Sequence, residues 1–183
     1  RKDYYCLIAG LREYSLDAEK KGFDAPAIIA EIKEELSARD RRTVELFYTY
    51  YDIENIVSLR AGREHFSALG NLSREELQEE LVSPSRLPLF LGRVMTAFNA
   101  ADKEGEGTDV SEAVDMEKSL ERNLFAAYYA ACARSSSKFM RRWAEFDRTL
   151  RNIAAAFAAR RRGIPVAEVI VGTGDIESAL ARS

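Results

Sequence analysis

Phe139-Met140-Arg141-Arg142-Trp143-Ala144-Glu145-Phe146-Asp147-Arg148-Thr149-Leu150-Arg151-Asn152-Ile153-Ala154-Ala155-Ala156-Phe157 is the stretch that decides the fold. Its large apolar residues, Phe139, Trp143, Phe146, Leu150, Ile153 and Phe157, recur at alternating intervals of four and three. Side chains at those intervals share one side of an α-helix, whereas a strand would scatter them over both faces. Such a row makes a seam of the kind that packs on other helices at a shallow angle. The spacing therefore predicts one unbroken helix with this seam buried. Arg141, Arg142, Arg148 and Arg151 lie off the seam and are the candidate partner-binding residues. Gly163 and Pro165 end the helix, the first by adopting a left-handed cap and the second by lacking an N–H.

Outward from this helix the chain keeps reading as helix. Hydrophobic residues make up 46% of it and charged residues 31%, and the chain contains only four prolines and ten glycines; a turn-rich β fold is not expected from that mix. Asp24 is an N-cap for a helix from Ala25 to about Leu36, with Pro26 tolerated in its first turn. Ser37 caps the next, with Asp40 in a capping-box-like position and Gly62 as its stop. Leu46, Tyr50, Ile53, Val57 and Arg60 form one row on it, and Val44, Phe47 and Tyr51 a second, so this helix is expected to pack on two sides. Ser73 and Glu76 form a capping box, with Leu72 and Leu77 as its hydrophobic staple, and Ser83-Pro84-Ser85 breaks that short helix. A helix starting near Pro88 and another from about Ser111 flank a candidate flexible loop at Gly105-Glu106-Gly107-Thr108. Tyr4 to Ala9 fits either strand or helix. Glu168 to Val171 could be a short strand, followed by a last helix capped by Asp175. The expected organisation is all-α: an elongated multi-helix bundle with an N-terminal unit at 1–104 and a C-terminal unit at 105–183, or one continuous domain. The absence of an initiator Met and the abrupt Ala181-Arg182-Ser183 end suggest that the natural protein extends further.

The residues for chemistry are scarce. His65 is the only histidine. Neither a pair of Glu-x-x-His motifs nor a Cys/His zinc set can be assembled around it, and it reads as a surface residue at a helix end. Gly172-Thr173-Gly174 follows an apolar run as a phosphate-binding turn would. Glu177 stands where a dinucleotide fingerprint needs its third glycine, and the chain contains no Gly-Lys-Ser/Thr. The segment reads as a turn. Cys6 and Cys132, both in apolar surroundings, are expected to be buried reduced thiols of a cytoplasmic protein. No apolar run reaches the roughly 20 residues of a membrane span, and no cleavage pattern follows Arg1 and Lys2. The aromatics among the arginines could stack on RNA bases, but their seam spacing and the net charge of −3 favour a core role. No catalytic, cofactor-binding or metal-binding residue is assigned.

Charge is distributed unevenly. Asp102 to Glu121 holds eight acidic and two basic residues, a net of −6, while Arg134 to Arg162 holds nine basic residues against Glu145 and Asp147, a net of +7. Blocks of opposite sign can orient partners or bring two helices together; they are also what solvated helix faces look like.

An internal similarity points to a family. Tyr51-Asp52 precedes Ile53-Glu54-Asn55-Ile56, Phe146-Asp147 precedes Leu150-Arg151-Asn152-Ile153, and each helix runs on to an arginine, Arg60 or Arg160. The first copy, Phe47 to Ile56, resembles the recurring helix of the V/A-type ATPase C subunit, the eukaryotic d-like rotor connector. The opening Tyr4-Tyr5-Cys6-Leu7-Ile8-Ala9-Gly10-Leu11 is similar to the start of those chains. The likeness is closest to a smaller bacterial family of C-subunit-like proteins and runs from Tyr4 to about Leu180. Two helical units can be traced where a C subunit carries three. The resemblance implies a V-type ATPase C-subunit-like fold and a non-catalytic subunit of an ion- or proton-transporting rotary ATPase. Its partners would be the central shaft and the membrane ring, without nucleic acid or a span of its own, and its place cytoplasmic, peripheral on the inner face of the membrane. A free-standing helical adaptor or an ATPase assembly factor is the alternative. Asn55 and Asn152 are expected to be structural, bonding to neighbouring backbone.

Overall fold

A computed structural model describes residues 4–11, 24–104 and 110–182. Among them the regular structure is helical: α1 (Tyr5–Gly10), α2 (Ala25–Glu35), α3 (Ala38–Arg60), α4 (Arg74–Val82), α5 (Leu89–Glu104), α6 (Val110–Ala133), α7 (Lys138–Arg162), a single 3-10 turn (Val166–Glu168) and α8 (Asp175–Arg182). The strand considered at 168–171 is absent. Val166–Glu168 closes a 3-10 turn instead, because the chain must reverse within a few residues of Gly163, and Val171 is held in place by a side chain of α7. The Gly105–Thr108 loop lies outside the described residues.

The helix starts and stops follow local chemistry. Ala27 N donates to the Asp24 carboxylate at 3.1 Å, Asp40 N to the Ser37 hydroxyl at 3.2 Å, and Met140 N to the Ser137 hydroxyl at 3.3 Å. Each satisfies one N–H that the first helical turn leaves open. The Ser73–Glu76 box is complete in both directions. Gly163 ends α7 in the left-handed conformation, with φ 68°, where a Cβ would clash with the backbone. α8 begins at Asp175 itself.

The packing has two centres. The larger joins α3, α4, α5, α6 and the first half of α7 around Ile53, Ile56, Leu77, Leu91, Met95, Leu124, Phe125, Tyr128 and Met140. It draws on both sides of the 104/105 boundary, with α6 packed on α3, α5 and α7. The smaller lies along the second half of α7, where Ala156, Ala159 and Val166 meet Ile164, Val169, Ile170 and Leu180. α3 is packed on two sides, as its two rows require. Its second covered side is polar, however: Thr49, Asp52, Asn55 and Ser58 are buried there, while Val44 and Tyr51 are only half-buried. Cys132 is buried, but Cys6 is exposed on α1; the apolar residues around it are themselves turned outward, including Tyr5 and Ile8. Among the described residues, no helix is long and apolar enough to cross a membrane.

Candidate docking face and the two asparagine clamps

The seam on α7 is not the core. Phe139, Phe146 and Phe157 are 65%, 67% and 64% exposed, and Leu150 and Ile153 are 54% and 49% exposed. Only Trp143 turns inward: it is half-buried on the main core, its ring 4.6 Å from that of Phe47. The buried residues of α7 are Met140, Ala144, Asn152, Ala156 and Ala159. Small residues on this inner side let α7 lie close to α6 and to the segment that returns after Gly163, a closeness Phe or Leu would prevent. The periodicity identifies a correct apolar face, then, but the wrong destination for it.

What fixes the inner side is a hydrogen-bonding device used twice. On α3, Asn55 Nδ2 donates to Ser67 O at 2.9 Å and Ser67 N donates to Asn55 Oδ1 at 2.7 Å. On α7, Asn152 Nδ2 donates to Val171 O at 2.8 Å and Val171 N donates to Asn152 Oδ1 at 2.8 Å. A primary amide offers one donor and one acceptor side by side, which matches the N–H and C=O of a single residue. Each asparagine therefore closes a two-point bond on the returning segment of its own chain and satisfies backbone groups that burial would otherwise leave unpaired.

A carboxylate backs each clamp. Asp52 Oδ1 accepts from Leu72 N at 3.1 Å and Asp52 Oδ2 from Asn71 Nδ2 at 2.9 Å. Glu177 Oε1 accepts from Asn152 Nδ2 at 3.1 Å. The chain passes close beside both at a glycine: a Cβ on Gly70 would fall 2.6 Å from Asp52 Oδ1, and one on Gly174 would fall 2.5 Å from Glu177 Oε2, so a side chain there would have to displace the carboxylate. Burial pushes the Asp52 carboxyl up to about 6, against the pull of the Leu72 N–H, Asn71 and Lys33. Glu80, at the end of α4, goes the other way. Burial raises it, but the N–H groups of Leu87, Arg86 and Ser85 and the Ser85 hydroxyl outweigh that and hold it below its ordinary value.

The four candidate arginines do not form one face. Arg148 is turned toward the start of α8, its Nε 3.1 Å from Glu177 Oε1. That N–H is buried and not aimed at the carboxylate, so the pair is a charge contact without a linear hydrogen bond. Arg151 pairs with Glu121 of α6 and lies 3.6 Å above the Phe125 ring. This is one place where the basic and acidic blocks meet, and it holds two helices of the same chain together. Arg141 Nη1 donates to Ser135 O at 2.6 Å, covering a carbonyl beyond the end of α6. Arg141 and Arg142 are the exposed pair. Arginine spacing alone could not separate these fates, since Glu121 and Glu177 lie 30 and 29 residues from their partners by the numbering.

Beside Leu150, between α6, α7 and the 3-10 turn, runs an open groove of about 1000 Å³ lined by Lys118, Arg122, Asp147, Arg151, Pro165 and Glu168 among others. Its polar groups are engaged within the chain: Tyr129 OH donates to Asp147 Oδ2 at 2.6 Å, and Arg122 Nη1 donates to Glu168 O at 2.6 Å. Burial, then the hydrogen bond to Asp147, raises the Tyr129 hydroxyl well above its ordinary value. His65 is exposed in the α3–α4 loop, where its carbonyl accepts from the Ser58 hydroxyl at 2.5 Å. Among the described residues no group of three His, Cys, Asp or Glu side chains converges as metal ligands would.

Comparison with known families matches residues 2–183 to the family described as "Protein of unknown function (DUF2764)". The chain belongs to that family. No curated protein matches it, and no solved structure does. The clamps, the charged pairs and the outward seam are thus the features from which a role has to be argued.

Proposed function

We propose that the chain is a non-catalytic subunit of a V-type rotary ATPase, connecting the central shaft to the membrane ring. The observation that carries this reading is the repeated clamp. The resemblance to the C subunit rests on a recurring helix in which an aromatic–Asp pair leads to an asparagine and then an arginine. Asn55 and Asn152 are the equivalent residues of its two copies, and they do the same work in space, each binding the N–H and C=O of one residue in the segment that follows its helix. The same pair of bonds made by the asparagine of each copy supports a helical unit used twice, with an Asp-to-Asn interval of three residues in the first copy and five in the second.

The energetics suit such a role. A connector transmits force through its body, so its loops must not yield. The clamps replace water with fixed side-chain amides, and each pair of bonds contributes about 1–3 kcal/mol to holding its loop. The exposed seam of α7 supplies the other requirement, a surface with free energy still to be gained by contact.

Affinity purification of the native full-length chain from its own membranes, with subunit counting, tests the proposal. About one copy per complex, retained with both shaft and ring subunits, is expected. A substoichiometric association that disappears from mature complexes would favour an assembly factor, and no association with ATPase subunits would end the reading.

A further inference from the structure

We infer that the outer face of α7, with the α6–α7 groove beside it, docks an amphipathic helix from a partner protein, and that acidic residues edge the apolar seam of that helix. The inference rests on the reading of the chain as a docking subunit and names the surface and the chemistry of what it meets.

The shape of the face argues for a helix. Phe139, Trp143, Phe146, Leu150, Ile153 and Phe157 follow the a/d alternation of a coiled coil, and the run from Phe139 to Phe157 extends about 27 Å at a rise of about 1.5 Å per residue. A stripe one seam wide is the complement of another helix, whose side chains seat between its own. A helix lying in a bilayer interface presents a wider apolar sector.

Charge argues against a second copy. With about 150–250 Å² per large side chain, the exposed fractions of the five outward residues amount to roughly 450–750 Å² of apolar surface. That matches or exceeds the largest patch usual on a monomer. At about 100° per residue, Arg142 borders one edge of the stripe and Arg161 the other. The acid at an edge position, Asp147, is held by Tyr129. Two copies of α7 face to face would bring basic edge against basic edge, within a segment that carries a net charge of +7 from Arg134 to Arg162. A partner with Glu or Asp at those positions meets opposite charge throughout.

The test uses the full chain and two synthetic helical peptides with the same Leu/Ile seam, one edged by Glu and one by Lys. Trp143, the only tryptophan, lies half-buried at the inner edge of the seam and reports docking beside it by fluorescence. The Glu-edged peptide should bind at micromolar concentration, at least about ten-fold more tightly than the Lys-edged one, and more weakly as salt rises. Phe146→Ser with Phe157→Ser should weaken it at least about ten-fold while leaving the melting temperature in place. Arg142→Glu with Arg161→Glu should reverse the preference between peptides. Equal binding of both peptides, binding of neither, or unchanged binding by the Phe double variant overturns the inference. So does a micromolar dimer in sedimentation that the Phe double variant abolishes, or binding to phosphatidylserine vesicles in place of the peptide. If the Phe double variant still co-purifies with ATPase subunits, this face is wrong and the connector reading stands. If the Glu-edged peptide binds but no ATPase subunit co-purifies, the face stands and the connector reading falls.

Discussion

α3 and α7 are long helices of similar length that carry the same clamp, yet one is covered on two sides and the other displays its largest side chains. On α3 the apolar row enters the main core, and the polar row of Thr49, Asp52 and Asn55 is roofed by residues 67–72. On α7 the clamp side and a strip of alanines are covered, while five large apolar side chains stay out. Full burial of such side chains is worth about 1.5–3 kcal/mol each, so the monomer leaves a substantial free energy unclaimed along α7. The hydrophobic effect rewards burial without saying where it happens. On α3 it happens within the chain; on α7 the specific bonds of Asn152 choose the orientation and leave the apolar face for a contact elsewhere.

Removing the clamps should separate the two helices most strongly. Asn55→Ala leaves the N–H and C=O of Ser67 unpaired beside the main core, and a loss of about 2–4 kcal/mol in global unfolding is expected from denaturant titration. Asn152→Ala should instead act locally: hydrogen exchange should show lost protection from Val171 to Leu180, with the Trp143 environment unchanged. Equal global losses in both variants would mean that the two packing centres unfold as one.

The carboxylates that back the folded turns should respond to pH with opposite sign. Asp52 has its folded value raised from 3.8 to about 6, so its contribution is full below pH 4 and is lost as pH rises through 6, by about 3 kcal/mol at most. Glu80, held low, contributes above the ordinary carboxylate range and loses that as pH falls through its folded value. Stability of Asp52→Asn and Glu80→Gln, each referred to wild type across pH 3–8, should therefore drift in opposite directions. Parallel drift would refute the assignment of burial as the dominant influence on Asp52.

A smaller effect sharpens the inward–outward contrast on α7 itself. Trp143→Ala should cost about 3 kcal/mol because its ring packs on Phe47 and the core, at the low end for a large aromatic since the site is only half-buried. Arg148→Ala should cost more than an exposed arginine would, since it strands the buried Glu177 carboxylate. Arg142→Ala, exposed, should change stability by no more than about 0.5 kcal/mol.

Much of the architecture was legible because caps are local. Asp24, Ser37, Ser73 with Glu76, and Gly163 sit within four residues of the groups they satisfy, and the helix boundaries follow from them. The polar partnerships were not, because their partners are distant: Asn55 reaches 12 residues on, Asn152 reaches 19, and Arg151 reaches back 30 to Glu121. The equivalence of Asn55 and Asn152 could be seen in the sequence, but the backbone groups they bind could not. The cradle of Glu80 has no signature, being made of main-chain N–H groups from Ser85 to Leu87. The seam of α7 misled for a more general reason. Its period marks a helix face and says nothing about whether the surface that covers it belongs to the same chain.

Denaturant unfolding of Phe146→Ser and Phe157→Ser tests the central claim most directly. With both side chains outward, each substitution should change stability by no more than about 0.5 kcal/mol, and solubility should rise as the apolar stripe is interrupted. A loss of about 3–5 kcal/mol for each, the cost of emptying a core site of a large aromatic, would mean that the seam is buried in the chain's own fold and that α7 offers no docking face.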